Sequence, residues 1–107
     1  MSFEVRTISV FERQAKRLKK KYASLKSELI GLVHSLSENP EQGIPIGNSC
    51  FKIRLAIKSK KRGKSGGARV ITHVLVASNK VYLLSIYDKS EQMGIDQREI
   101  DRLISLI

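Results

Sequence analysis

The sequence predicts an α+β domain, in which a small twisted antiparallel sheet is flanked by an N-terminal helical hairpin and a C-terminal helix. Three observations predict this class. Apolar residues recur at helical spacing between residues 11 and 36, alternate with a period of two over residues 51–58, and return to helical spacing near residue 100. A chain of 107 residues with 41% hydrophobic content and no linker-like stretch holds one domain, which we assign to residues 1–107.

The N-terminal part of the chain is expected to form a strand and two helices. Apolar and charged residues alternate over Phe3–Ile8, as in a half-buried strand. Ser9 and Glu12 have the spacing of a capping box, which predicts that a basic amphipathic helix begins there. A second helix is expected over Ser24–Ser37 and ends before Pro40.

The rest of the chain is expected to form three strands and a last helix. After a Pro- and Gly-rich loop of about ten residues, Phe51–Lys58 alternates apolar and polar side chains. Ser59–Ala68 has the composition of an exposed hairpin loop. Arg69–Val76 and Val81–Tyr87 are rich in β-branched, aliphatic and aromatic residues, which favours strands. A helix is expected to begin near Asp96, so the predicted order is β-α-α-β-β-β-α.

The charge of the chain is concentrated in its middle part. Residues 43–87 carry 9 basic and 0 acidic side chains, whereas residues 1–42 carry 8 and 5 and residues 88–107 carry 3 and 5. The formal net charge of +10 is therefore distributed as +3, +9 and −2 along the chain. Uncompensated cationic charge attracts polyanions by counterion release, so nucleic acid is the first partner to consider.

Several other kinds of site are not supported by the sequence. The histidines, His34 and His73, have no cysteine pair or carboxylate cluster at ligand spacing, so we expect no metal and no cofactor. All acidic residues lie in the outer parts of the chain, which argues against paired catalytic carboxylates. No long apolar run and no secretory signal are apparent, and a single cysteine, Cys50, fits a reducing cytoplasm. We therefore expect a cytoplasmic protein without a membrane partner.

Basic side chains are predicted to gather on one face of the sheet. Lys52 and Arg54 project from the same side of one strand, Arg69 opens the next strand, and Lys89 follows the third. Such a cluster can bind phosphate without any chemistry. It can also stabilise the charge that develops on phosphate oxygens during phosphodiester cleavage, and crowded cations lower the pKa of a lysine towards the range of a general base. From the pattern alone, both interpretations stay open.

Two blocks of the sequence resemble a known family. Residues 51–71, which begin with FKIRLA and end with GGARVI, and residues 82–91, YLLSIYDKSE, are similar to the RelE/ParE superfamily of bacterial toxins and especially to its HigB/RelE branch. The resemblance implies a RelE-like fold and the toxin of a type II toxin–antitoxin system. It also implies a metal-independent endoribonuclease that cleaves mRNA in the ribosomal A site. The implied partners are mRNA, the ribosome with its 16S rRNA, and a cognate antitoxin. The antitoxin would cover the basic face with acidic residues or pack a helix against the sheet.

The same resemblance implies roles for individual residues. In this family the 2′-hydroxyl of the message attacks the adjacent phosphate. Lys52 and Arg54 match a basic pair that acts as base and phosphate clamp. Arg69 matches a transition-state stabiliser, and Lys89 falls where RelE has an arginine. Tyr87 matches a tyrosine of HigB-like sequences, which would stack on a base or act as an acid.

Further basic residues are predicted to bind RNA. The hairpin loop carries five cations in seven residues, which fits contact with the phosphates of rRNA: Lys58, Lys60, Lys61, Arg62 and Lys64. His73 is a further candidate, because it shares odd numbering with Arg69 in one strand and is expected to face the same side. An exposed hairpin tip that binds nothing would have a similar composition.

The chain also departs from the RelE pattern. RelE has a functionally important tyrosine near its C-terminus, whereas residues 91–95 here are EQMGI. Two alternatives therefore stay open. One is a ParE-like inhibitor of DNA gyrase, which needs no phosphate-facing cations, and the other is a catalytically inactive relative that binds RNA and an antitoxin.

Overall fold

The computed structural model describes residues 2–60 and 66–107. This part of the chain contains five strands and three α-helices, which confirms the predicted α+β class. In chain order they are β1 (Glu4–Thr7), α1 (Ser9–Lys21), α2 (Leu25–Glu38), β2 (Ile44–Gly47), β3 (Cys50–Leu55), β4 (Ala68–Leu75), β5 (Lys80–Asp88) and α3 (Gln97–Ile104). Short 3-10 helices, Lys58–Lys60 and Val76–Ser78, follow β3 and β4.

The strands form one sheet in the order β1-β5-β4-β3-β2. The pairs from β2 to β5 are antiparallel, as predicted, but β1 pairs in parallel with β5, so the sheet is mixed. The direction of β1 depends on how the helical hairpin crosses back over the sheet. Alternation within β1 carries no information about that crossing, which is why the sequence did not predict a parallel pair.

The predicted Pro- and Gly-rich loop contains an additional strand, β2. It lies at the edge of the sheet, where Ile44 pairs with Lys52 and Pro45 with Phe51. One side of an edge strand makes no ladder hydrogen bonds, so a proline is tolerated there. The residues that predicted a loop therefore belong to an edge strand.

In the helical hairpin, α1 packs against β5 and α2 packs against β1, which buries the apolar stripes that the sequence predicts. The buried residues are Phe11, Ala15 and Leu18 in α1 and Leu25, Leu29, Leu32 and Leu36 in α2. The Gln14 side-chain oxygen accepts a hydrogen bond from the Ile86 backbone N–H at 2.9 Å, which joins α1 to β5.

The capping box predicted at Ser9 does not form, because Ser9 is itself the first residue of α1. Glu12 instead accepts a hydrogen bond from the Thr7 hydroxyl at 2.9 Å.

The C-terminal helix begins as its sequence predicts. The Asp96 side chain caps α3 by accepting a hydrogen bond from the Glu99 backbone N–H at 2.9 Å. Ile100 and Leu103 are buried where α3 contacts β5. Asp101 accepts a hydrogen bond from Asn48 at 3.1 Å, which joins α3 to the turn between β2 and β3. Within residues 2–60 and 66–107, no helix has the length and apolar character needed to cross a membrane.

Candidate functional site

The strand register places three of the predicted catalytic residues side by side. Arg54 of β3 lies opposite Arg69 of β4, and Arg69 lies opposite Tyr87 of β5. Directly opposed residues of antiparallel strands project from the same face, with Cβ atoms about 4.5–5.5 Å apart. We call Arg54, Arg69 and Tyr87 the central row. The pairing of three strands brings these residues together.

Lys52 lies on the same face, two residues before Arg54, and it pairs with Ile71. A groove of about 450 Å³ runs beside it and is lined by Gln42, Gly43, Ile44, Lys52, Ile53 and Arg54. Gly43 has a φ of +91°, and a Cβ at this position would lie 2.4 Å from the Lys52 carbonyl oxygen. Glycine is therefore required here for the chain to approach β3 this closely.

Burial increases along the central row. Arg54 is exposed, whereas Arg69 and Tyr87 are each 5% exposed. Lys52, which lies beside the row, is half-buried. Like charges directly opposite each other destabilise a strand pair, and burying a guanidinium adds a desolvation cost. Arg69 donates a hydrogen bond to the Ala68 carbonyl at 3.2 Å. Arginine also binds phosphate through charge-assisted hydrogen bonds, and a phosphate beside Arg54 and Arg69 would reduce the repulsion between them. The arrangement therefore fits an anion site.

Tyr87 and Lys89 lie at the β5 end of the central row. Burial raises the pKa of Tyr87, and the nearby Arg69 lowers it by a smaller amount. Tyr87 is therefore protonated near neutral pH and can donate a proton or a hydrogen bond. The Lys89 ammonium donates a hydrogen bond to the Met93 carbonyl at 2.8 Å. Lys89 thus holds the segment between β5 and α3 close to the end of the row.

The predicted RNA-binding loop lies only partly within the part of the chain that the structure describes. Lys61, Arg62 and Lys64 fall outside the described residues. Lys58 is exposed, and its backbone N–H donates a hydrogen bond to Glu28 at 2.7 Å. The side chain of Lys60 is 10% exposed and forms an ion pair with Asp88. Lys60 therefore anchors the start of the loop.

His73 lies on the face of Arg69, as its position in β4 predicts, but it is buried. It pairs with Cys50 of β3, and its Nδ1 lies 3.4 Å from the Cys50 Sγ. Burial lowers the pKa of His73, against a smaller effect of the Asn48 backbone. Burial and, to a lesser degree, Asp101 raise the pKa of Cys50 to about 11. Both groups are neutral near pH 7 and pack as core residues.

A buried polar cluster lies at the end of β5. Asp88 is fully buried and follows Tyr87, so the two side chains point to opposite faces of the sheet. The Asp88 carboxylate accepts hydrogen bonds from the Tyr22 hydroxyl, the Lys60 ammonium, and both the hydroxyl and the backbone N–H of Ser90. We call Asp88, Lys60, Tyr22 and Ser90 the Asp88 cluster.

The cluster keeps Asp88 ionised. Burial by itself would raise the pKa of Asp88, but the hydrogen bonds from Lys60, Tyr22 and Ser90 together outweigh burial and hold the pKa below its usual range. Nearby, Glu91 forms ion pairs with Arg17 at 2.6 Å and with Lys21 at 2.8 Å. Hydrogen bonds from Arg17 and then Lys21 lower the pKa of Glu91 from 4.5 to about 2.

These depressed pKa values predict that the fold is less stable in acid. Asp88 and Glu91 are harder to protonate in the folded chain, so their ionised forms stabilise it at neutral pH. We expect the free energy of unfolding to fall as the pH drops through 4.5 towards 2. Urea unfolding at several pH values measures this. Glu91→Gln should reduce the pH dependence, and a free energy of unfolding that stayed constant over this range would contradict the prediction.

The Asp88 cluster was not predicted from the sequence, although one signal was present. Asp88 is the first acidic residue after Glu41, and it directly follows a residue assigned to the site. Strand alternation would have placed it on the opposite, buried face. Its donors come from the end of α1, the segment after β3 and the turn after β5, and no spacing rule connects these three parts of the chain.

The described residues contain no group of three or more His, Cys, Asp or Glu that could hold a metal ion.

The fold is shared with solved bacterial toxin structures, although no protein-family model matches the sequence. The free state of an Escherichia coli RelE mutant, in which two arginines are replaced by alanine, is similar with a TM-score of 0.63 and 16% identity, covering 100% of this chain and 99% of that chain. The Mycobacterium tuberculosis RelBE2 toxin–antitoxin complex gives a TM-score of 0.61 and 18% identity over 82% of this chain and 99% of that chain. Isolated E. coli RelE gives 0.57 and 16% identity over 98% and 99%. The chain therefore has the fold of the RelE toxins, which confirms the predicted resemblance at the level of the fold.

Proposed function

We propose that this protein is the toxin of a type II toxin–antitoxin system and an endoribonuclease that cleaves mRNA in the ribosomal A site. The observation that carries the proposal is the convergence of the central row and Lys52 on one face of a sheet with the RelE fold. The charge of residues 43–87, with 9 basic and 0 acidic side chains, supports a polyanionic substrate. The groove beside Lys52 leaves room for a nucleotide next to the row.

The proposed reaction is attack of an mRNA 2′-hydroxyl on the adjacent phosphate, which forms a cyclic phosphate and releases the 5′-oxygen. Lys52 is the proposed general base, and the exposed Arg54 is the clamp that meets the phosphate first. Arg69, buried in the middle of the row, stabilises the negative charge that develops on the phosphate oxygens. Tyr87 donates a proton to the leaving oxygen. Lys89 supports the row by holding the segment after β5.

Primer extension on a defined mRNA, with and without programmed ribosomes, tests the proposal. We expect cuts within codons only when ribosomes are present. The control is a variant in which Lys52, Arg54 and Arg69 are all replaced by alanine, and it should not cut. Inhibition of gyrase supercoiling that survives in this variant would instead support the ParE-like alternative. RNA binding by the unaltered protein without any cut would support the inactive relative.

Replacing Tyr87 by phenylalanine tests its role as a proton donor. The variant keeps the ring that packs at the end of β5 and loses only the hydroxyl. We expect the cleavage rate to fall at least 100-fold, since a general acid usually contributes about 100- to 10,000-fold. Single-turnover cleavage on programmed ribosomes measures the loss, and Tyr82→Phe on the same strand is the matched control. Cleavage by Tyr87→Phe at the unaltered rate would show that Tyr87 is structural.

The proposed protein partner is an antitoxin with an acidic segment that covers the central row. The cationic face provides the charge complementarity. A RelE-like fold is also found in the RelBE2 toxin–antitoxin complex. Co-expression of a candidate antitoxin should abolish cleavage, and replacing its acidic residues by amides should restore it.

A further inference from the structure

We infer that Asp88 is a positioning residue, which ties the start of the cationic loop, residues 58–67, to the end of β5, between Tyr87 and Lys89. The inference deepens the proposed function and rests on it. It concerns a residue whose side chain points away from the proposed active face.

The first observation is the way both ends of the loop are held. Lys60, at its start, is bound by the Asp88 carboxylate. Gly67, at its end, accepts a hydrogen bond from the Lys89 backbone N–H at 3.0 Å. Asp88 and Lys89 are consecutive residues of the chain. One short stretch at the end of β5 therefore holds both ends of the loop that carries Lys61, Arg62 and Lys64.

The second observation is the set of hydrogen bonds that the Asp88 carboxylate accepts. Both Asp88 oxygens are used, since Oδ1 accepts from Lys60 and Ser90 and Oδ2 accepts from Tyr22, with the Lys21 ammonium 3.6 Å away. Desolvation makes a buried ion pair a weak source of stability, and apolar replacements of such pairs are often neutral or stabilising. The hydrogen bonds from Lys60, Tyr22 and Ser90 therefore serve to fix the position of the buried Asp88 carboxylate. Tyr87 and Lys89 are the chain neighbours of Asp88, and their side chains point to the opposite, active face. Any shift of Asp88 therefore moves both of them.

The third observation is that the loop has a second, independent anchor. The Ser59 backbone N–H donates to the Ser24 hydroxyl at 2.9 Å, and the Lys58 backbone N–H donates to Glu28 at 2.7 Å. These contacts join the start of the loop to α2 and do not involve β5. Glu28→Gln therefore perturbs the same segment without touching the Asp88 cluster, and it is the matched control.

The test compares Asp88→Asn, Lys60→Gln, the double variant and Glu28→Gln in cleavage on programmed ribosomes. We expect kcat to fall at least 10-fold in Asp88→Asn and in Lys60→Gln, and to change little in Glu28→Gln. The double variant should be no slower than the worse single variant, because both changes break the same contact. Lys60→Gln leaves Asp88 bound to Tyr22 and Ser90, so it tests the inference even when Asp88→Asn does not fold.

Binding of a single-stranded RNA oligonucleotide separates positioning from loss of structure. Asp88→Asn releases the charge of Lys60, so we expect its RNA affinity to stay equal or to rise, with a salt dependence steeper by about 0.7 in the log–log slope. A merely structural effect would lower binding and cleavage together. Unaltered kcat in both single variants, or a double variant whose loss is the product of the single losses, would overturn the inference.

Amide hydrogen exchange tests the tie without reference to cleavage. The amides of Lys60 and Lys89 donate to the Ile57 and Gly67 carbonyls at 3.0 Å each, and both should exchange faster in Asp88→Asn than in Glu28→Gln. Absence of cleavage by the unaltered protein would overturn the proposed function, and the positioning role with it. If the unaltered protein cleaves mRNA but Asp88→Asn does not change the exchange of these amides, only the role of Asp88 in holding the loop would be overturned.

Discussion

Arg69→Ala is expected to lower the rate of mRNA cleavage about 100- to 1000-fold, the usual effect of removing one preorganised donor to a developing oxyanion. Arg69 lies between Arg54 and Tyr87 and is 5% exposed. Arg69 is one of 20 basic residues in the chain, so ribosome affinity should change much less than the rate. Single-turnover cleavage and ribosome co-sedimentation measure the two quantities separately.

A matched control for Arg69→Ala is Arg13→Ala, since Arg13 is an exposed arginine on α1. It changes the net charge equally and should cleave at the unaltered rate. Because Arg69 is buried, thermal unfolding of both variants must show a folded protein at the assay temperature. If Arg69→Ala reduced affinity and rate in the same proportion, Arg69 would be a binding residue and not a transition-state stabiliser.

Neutralising the cationic loop should have the second large effect, on binding. Replacing Lys58, Lys61, Arg62 and Lys64 by glutamine is expected to weaken ribosome binding and to flatten its salt dependence, by about 0.7–0.9 in the log–log slope for each phosphate that the loop no longer neutralises. Lys60 is left in place because it is bound to Asp88. At saturating ribosome concentration the cleavage rate should be nearly unaltered, since the central row is intact.

A second variant tests whether position or total charge matters. Replacing four exposed lysines of the helical hairpin, Lys16, Lys19, Lys20 and Lys26, by glutamine removes the same charge. We expect a smaller change in the salt slope than for the loop variant. Equal changes in the two variants would mean that net charge, and no specific loop contact, drives association.

Local patterns predicted most of the elements well. The second helix was expected over Ser24–Ser37 and spans Leu25–Glu38. The last strand was expected over Val81–Tyr87 and spans Lys80–Asp88. The predicted helix start at Asp96 is confirmed, because its side chain caps α3. The predicted capping box at Ser9 is wrong, because Ser9 lies within α1 and Glu12 accepts a hydrogen bond from Thr7. Helix and strand periods depend on neighbouring residues, so they are visible in sequence.

Edge strands and direction of pairing were harder to predict. The segment Ile44–Gly47 is too short and too rich in proline and glycine to show a strand pattern in the sequence. It is a strand because its backbone pairs with β3. The parallel pairing of β1 with β5 likewise depends on a distant partner. Both features need contacts that no local window contains.

Three properties of this protein are already specified by its amino-acid sequence: the α+β class, the concentration of positive charge in residues 43–87, and the common face of Lys52 and Arg54. They depend on composition and on residues close together in the chain. Three others required the folded chain, namely that Arg54, Arg69 and Tyr87 form one row, that His73 is buried, and that Lys60 is bound by Asp88. Register and burial follow from packing between distant segments, and a buried ion pair forms only where that packing excludes water.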